Sequence, residues 1–88
     1  MSPAGPADQR SKVDSAFGTV LRTLRAERGL SQEALGNASG NGRTYVGQLE
    51  RGERGATLKT IFALSAVLEV DAAEIVRLVG ERVIGEKR

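Results

Sequence analysis

Neither cysteine nor histidine occurs anywhere in the 88 residues. The first absence excludes a disulfide framework and any thiolate metal site. The second removes imidazole acid–base chemistry and imidazole metal ligation. Tryptophan is absent too, and one tyrosine and two phenylalanines are the only aromatic residues. The core must therefore be aliphatic, which suits helices. No apolar run comes near the about 20 residues that cross a bilayer. The opening Met1-Ser2-Pro3-Ala4-Gly5-Pro6 has no apolar stretch of the kind a secretory signal uses. A cytoplasmic chain with no membrane partner is the expectation. The polar residues supply neither a nucleophile–base pair nor a metal-ligating cluster, so nothing here points to an enzyme, a metal or a cofactor.

What is present fits one small domain. A domain of this size buries a modest core, and dimerisation would add to it. The formal net charge is only +2, but it is unevenly spread. From Arg10 to Arg54 there are eight basic residues against five acidic, whereas from Gly55 onward the count is five against five. A polyanionic partner would meet the basic first two-thirds.

The apolar spacing divides the chain into five short helices. Residues 1–12 hold both prolines and no periodicity, and read as a flexible arm. A domain over residues 13–80 follows. Asp14 or Ser15 can cap a first helix, in which Phe17, Val20, Leu21 and Leu24 share a face. Gly29 ends it, and Arg25 and Arg28 suit the negative end of its dipole. Ser31 caps a second helix, with Glu33 in its first turn and Leu35 and Ala38 turned inward. Ser39-Gly40-Asn41-Gly42 makes a turn, and a third helix runs from about Arg43 to Arg51. Thr57 caps a fourth, with Leu58, Ile61, Phe62, Ser65 and Leu68 on one face and Leu64 and Val67 widening it. Asp71 caps a fifth, carrying Ile75, Leu78 and Val79. The tail 81–88 either extends that helix by a turn or trails from it. No strand alternation is visible, and the expected class is all-α.

Two of these helices meet across a turn of a few residues, with Gly36 and Ala38 available where they cross. That is what a helix-turn-helix needs. At 100° per residue the third helix places Arg43, Gly47, Arg51, Thr44 and Gln48 on one arc. Val46 and Leu49 lie on the opposite arc and Tyr45 between. The outward arc is basic and amide-bearing with no acidic residue, chemistry suited to base edges and phosphates.

The run Leu21-Arg22-Thr23-Leu24-Arg25-Ala26-Glu27-Arg28-Gly29-Leu30-Ser31-Gln32-Glu33-Ala34-Leu35 leads to Ser39-Gly40 and then Tyr45-Val46-Gly47-Gln48-Leu49-Glu50-Arg51-Gly52. This closely resembles the Cro/repressor-type (XRE-like) helix-turn-helix regulators over about residues 15–79. The resemblance implies a lambda-repressor-like DNA-binding domain acting on double-stranded DNA. It assigns base contacts to Arg43, Thr44 and Gln48, and backbone contacts to Gln32, Arg51 and Arg54. Tyr45 either packs at the core edge or reaches a phosphate. Gln32 would also brace the recognition helix, and Arg25 and Glu50 would form a buried ion pair tying the first helix to the third. Three positions depart from the family pattern. Asn41 replaces an apolar turn residue, Gly42 a capping Ser or Thr, and Gly55-Ala56 a commoner Asn-Pro.

Ile75, Val79, Val83 and Ile84 exceed what a small core requires. They either pack under the first and fourth helices or, the favoured expectation, form a two-fold interface that sets two recognition helices about 34 Å apart. The alternative to an operator-binding homodimer is an antitoxin-like module whose main partner is another protein.

Overall fold

The computed structural model describes residues 6–86, with side chains over residues 12–85. Five helices follow in order: α1 (Pro6–Glu27), α2 (Gln32–Ser39), α3 (Arg43–Glu50), α4 (Leu58–Leu68) and α5 (Ala72–Glu86). No strand occurs among the described residues. α1 packs on α5 and α3, α2 on α3 and α4, and α4 on α5. The core they enclose is aliphatic apart from Phe17: Val20, Leu21, Leu35, Val46, Leu49, Leu64, Leu68 and Ile75.

The caps that end and begin these helices are local chemistry. The Ser31 hydroxyl accepts from the Ala34 N–H at 3.0 Å, and the Thr57 hydroxyl from the Thr60 N–H at 3.1 Å. Each satisfies a backbone donor that the first turn leaves without a partner. Gly40 ends α2 in the left-handed conformation, φ 78°, where glycine pays no Cβ penalty.

Three details differ from the pattern in the sequence, and the alternative left open for the tail is resolved as helix. α1 begins at Pro6, eight residues before Asp14, so residues 6–12 are helical and not an arm; residues 1–5 lie outside the described residues. Proline at the first helical position costs nothing, because its missing N–H has no helical partner there. At the other end α5 runs through Glu86, which makes 81–86 part of the last helix; residues 87–88 lie outside the described residues. Ala38 is exposed and half-buried Ser39 takes the inward side instead, being nearer in angle to Leu35 and Gly36. On α4 the buried residues are Thr60, Leu64, Ser65 and Leu68, while Leu58 and Phe62 stay 67% and 59% exposed. The core stripe of α4 is turned roughly 70° from the expected one.

Glycines set two close crossings. A Cβ on Gly18 would stand 2.5 Å from the Leu49 carbonyl oxygen, and one on Gly36 would stand 2.5 Å from the Gly42 carbonyl oxygen. α1 therefore touches the backbone of α3, and α2 touches the backbone at the entry to α3.

Gly42, the N-cap of α3, has φ 82° and ψ 154° and no side-chain cap bond. Only glycine occupies that region without strain. The departure from a Ser or Thr cap is thus a consequence of the backbone path. Gly42→Thr, which cap preferences alone would favour, is expected to destabilise by about 1–2 kcal/mol. Thermal melts check this; a melt at or above wild type would mean the entry can relax to an ordinary cap.

Candidate nucleic-acid interface

α3 is eight residues long and short of what holds a helix together alone, so its aim depends on what grips it. The grip is a buried polar cluster. The Arg25 guanidinium, from the last turn of α1, donates from Nε to Glu50 Oε2 at 2.5 Å and from Nη2 to Glu50 Oε1 at 3.0 Å. Its Nη1 donates to the Leu30 carbonyl at 2.8 Å. Gln32 Nε2, at the start of α2, donates to Glu50 Oε1 at 2.9 Å. Three helices and the α1–α2 turn thus converge on one carboxylate whose side chain is 2% exposed. Burial pushes the Glu50 carboxyl up, but hydrogen bonds from Arg25 and Gln32 and the Arg25 charge override this. The net effect holds it below its ordinary value. Among the described residues no buried side-chain nitrogen or oxygen lacks a partner.

Held this way, α3 buries Val46, Gly47, Leu49 and Glu50. Arg43 and Thr44 are exposed, and Tyr45 and Gln48 are half-buried. Gly47 differs from its expected outward position: it is covered by Arg51, whose Nη1 lies 3.1 Å from where a Cβ would be. The three expected base-reading residues therefore share the accessible side of one helix. An arginine fork and a glutamine amide there can each make paired hydrogen bonds to a purine edge.

The expected backbone-contact residues flank that face. Arg54 is exposed and lies over the Tyr45 ring, its Cζ 5.5 Å from the centroid, an arrangement that steadies a long cation. Arg51 is paired with Glu53. Gln32 has an amide committed to Glu50, so bracing α3 is its visible role. The Arg25–Glu50 ion pair that the family resemblance implies is present, and Gln32 joins it through Glu50 Oε1.

The proposed interface residues are not brought together as a free patch. Ile75 is 1% exposed and belongs to the core of this chain, because position 75 of α5 faces α1 and α4. Val79 and Val83 are half-buried, and Val79 packs against that core. Ile84 is 57% exposed, and Val76, not singled out from the sequence, is 52% exposed. Two further residues were missed. Glu53, counted in the sequence only among the acidic residues of the basic stretch, pairs with Arg51. Gly18 showed only as a glycine within a helical pattern, the ordinary sign of a close backbone approach.

Several known proteins share this arrangement. A helix-turn-helix family model matches residues 21–75. The chain is 36% identical over 80 residues to the uncharacterised HTH-type transcriptional regulator y4dJ of Sinorhizobium fredii, covering 91% of this chain and 99% of that one. Among solved structures, the restriction-modification controller protein C.AhdI of Aeromonas hydrophila superposes with a TM-score of 0.69 at 44% identity, covering 70% of this chain and 94% of that one. The controller protein C.Esp1396I, solved as a tetramer in complex with its natural 35 base-pair operator, superposes with a TM-score of 0.72 at 28% identity over 82% of this chain and 95% of that one. With the family match spanning more than half of the sequence and the same helices holding the same fold, the chain belongs to the XRE-type helix-turn-helix transcriptional regulators.

Proposed function

We propose that this chain is a sequence-specific regulator that binds a short palindromic site in double-stranded DNA as a homodimer in the cytoplasm. The observation that carries the reading is the accessible side of α3. Arg43, Thr44 and Gln48 stand on a helix fixed from behind by the buried Arg25–Glu50–Gln32 cluster. A fixed helix matters because base reading tolerates little error in aim. The operator complex of the similar controller C.Esp1396I supports the same use of the fold. The apolar surface left on α5 by Val76 and Ile84, with Val83 and Val79 at its edge, supports a second copy as partner. Ile75 takes no part in that surface. The role is binding, with no catalytic step and no cofactor.

Selection of bound sequences from a random DNA pool tests this, and a palindromic consensus is the expected result. On that consensus Arg43→Ala is expected to cost about 1–3 kcal/mol and to relax preference at one base pair in each half-site. Arg54→Ala is expected to weaken consensus and random DNA alike and to lower the salt slope by about one unit per half-site. Titrations of both variants on both DNAs separate specifying from positioning contacts. Equal losses on the two DNAs for Arg43→Ala would remove Arg43 from base readout.

A further inference from the structure

The guanidinium of Arg51, at the C-terminal end of α3, is divided between two directions. Its Nε donates to Glu53 Oε2 at 2.7 Å and its Nη2 to Glu53 Oε1 at 3.3 Å, so a carboxylate fills one edge of the fork. Its Nη1 turns the other way and lies over Gly47, in the space a side chain there would occupy. Gln32 Oε1 is 3.6 Å from that same point. The pair is about half exposed on both sides, 54% and 52%. The hydrogen bond and charge of Arg51 hold the Glu53 carboxyl below its ordinary value, so it is fully ionised at neutral pH.

We infer that Glu53 is a specificity-determining residue, one that leaves Arg51 open to a phosphate only from the Gly47 side. The inference rests on the DNA-binding role proposed for α3. Attraction of cations to phosphates is nearly all of what holds a protein on random DNA, and it acts in any register. A phosphate approaching the Nε–Nη2 edge of Arg51 meets the Glu53 carboxylate and is repelled. A phosphate beside Gly47 and Gln32, where seating of α3 by its base contacts would bring one, meets an Nη1 that Glu53 does not hold. Glu53 thus subtracts more from unregistered binding than from seated binding.

The test compares wild type, E53Q, R51Q and the double variant on random duplex and on the selected consensus, at two salt concentrations. E53Q is expected to tighten random-duplex binding about twofold to fivefold, the range of one exposed charge interaction. Its salt dependence should steepen, and its preference for the consensus over random DNA should fall. In the R51Q background the same change should leave that preference where it was. If wild type binds its consensus while E53Q leaves random binding unchanged or weaker, the inference is overturned and the recognition face stands. An equal gain in the R51Q background overturns it as well, since bare charge would then suffice. If wild type binds no DNA even at low salt, the recognition reading falls and takes this inference with it. Circular dichroism melts confirm that each variant is folded; should E53Q melt low, E53S serves in the same comparison.

Discussion

Glu50→Ala is expected to lower stability by about 3–5 kcal/mol, the usual loss when one member of a buried ion pair is removed. Arg25 would keep only its bond to the Leu30 carbonyl, and Gln32 would lose its acceptor. Because the Arg25 side chain is 17% exposed, some water reaches it, which places the loss toward the lower end. A domain whose whole stability is about 5–15 kcal/mol would still be unfolded in part at physiological temperature. The same carboxylate confers an acid limit. The folded state holds the Glu50 proton less tightly than the unfolded chain does, so its stabilisation is complete above the ordinary carboxylate value of 4.5. It is lost as pH falls through the depressed folded value. Melting temperatures between neutral pH and about pH 3 should fall more steeply for wild type than for Glu50→Gln. Glu53 and Glu74 are also lowered by their arginine partners but remain in both proteins, so the difference isolates Glu50. Parallel curves would mean the pair is solvated in solution.

Gly36→Ala is the second large effect. In an open helix position this change helps by about 1 kcal/mol, because alanine is the better helix former. At Gly36 the new methyl would stand 2.5 Å from the Gly42 carbonyl oxygen and 2.7 Å from the Arg43 nitrogen. Both obstacles are backbone, so no rotamer relieves the clash and α2 must move off α3. A net loss of about 3 kcal/mol, the upper end of what overpacking costs, is expected. Whatever fraction still folds should bind the consensus poorly, since α3 would have shifted. Gly80→Ala is the control: beyond the adjoining residues and turns of its own helix, nothing lies within 4 Å of its Cβ position, and a gain of about 0.5–1 kcal/mol is expected. Thermal melts of the two alanine variants should move in opposite directions.

Much of this was legible from residue types because the determinants are local. Periodicity marked five helices, and Ser31 and Thr57 announced the starts of α2 and α4 through the hydroxyls that now accept backbone N–H groups. The Arg25–Glu50–Gln32 cluster spans 25 residues; no local rule reaches so far, and only the family likeness suggested it. Where the reading failed, an ambiguous residue type was decided by its surroundings. Pro6 looked like a loop residue, yet proline is also a good first helical residue. Leu58 and Phe62 looked like core because they are apolar, and nothing local shows that Thr60 packs inside while they stay exposed. Ile75 looked like surplus apolar surface until α1 and α4 closed over it.

The lone tyrosine of the chain stands on α3 beneath Arg54, and there is no tryptophan to outshine it. Emission excited in the tyrosine band therefore originates from one side chain, at the place where an operator would arrive. The protein carries an intrinsic optical probe on the helix proposed to read DNA, so docking there could be followed without attaching a dye. The same scarcity leaves the chain nearly invisible to ordinary ultraviolet absorbance during purification, and its concentration is better taken from the peptide band.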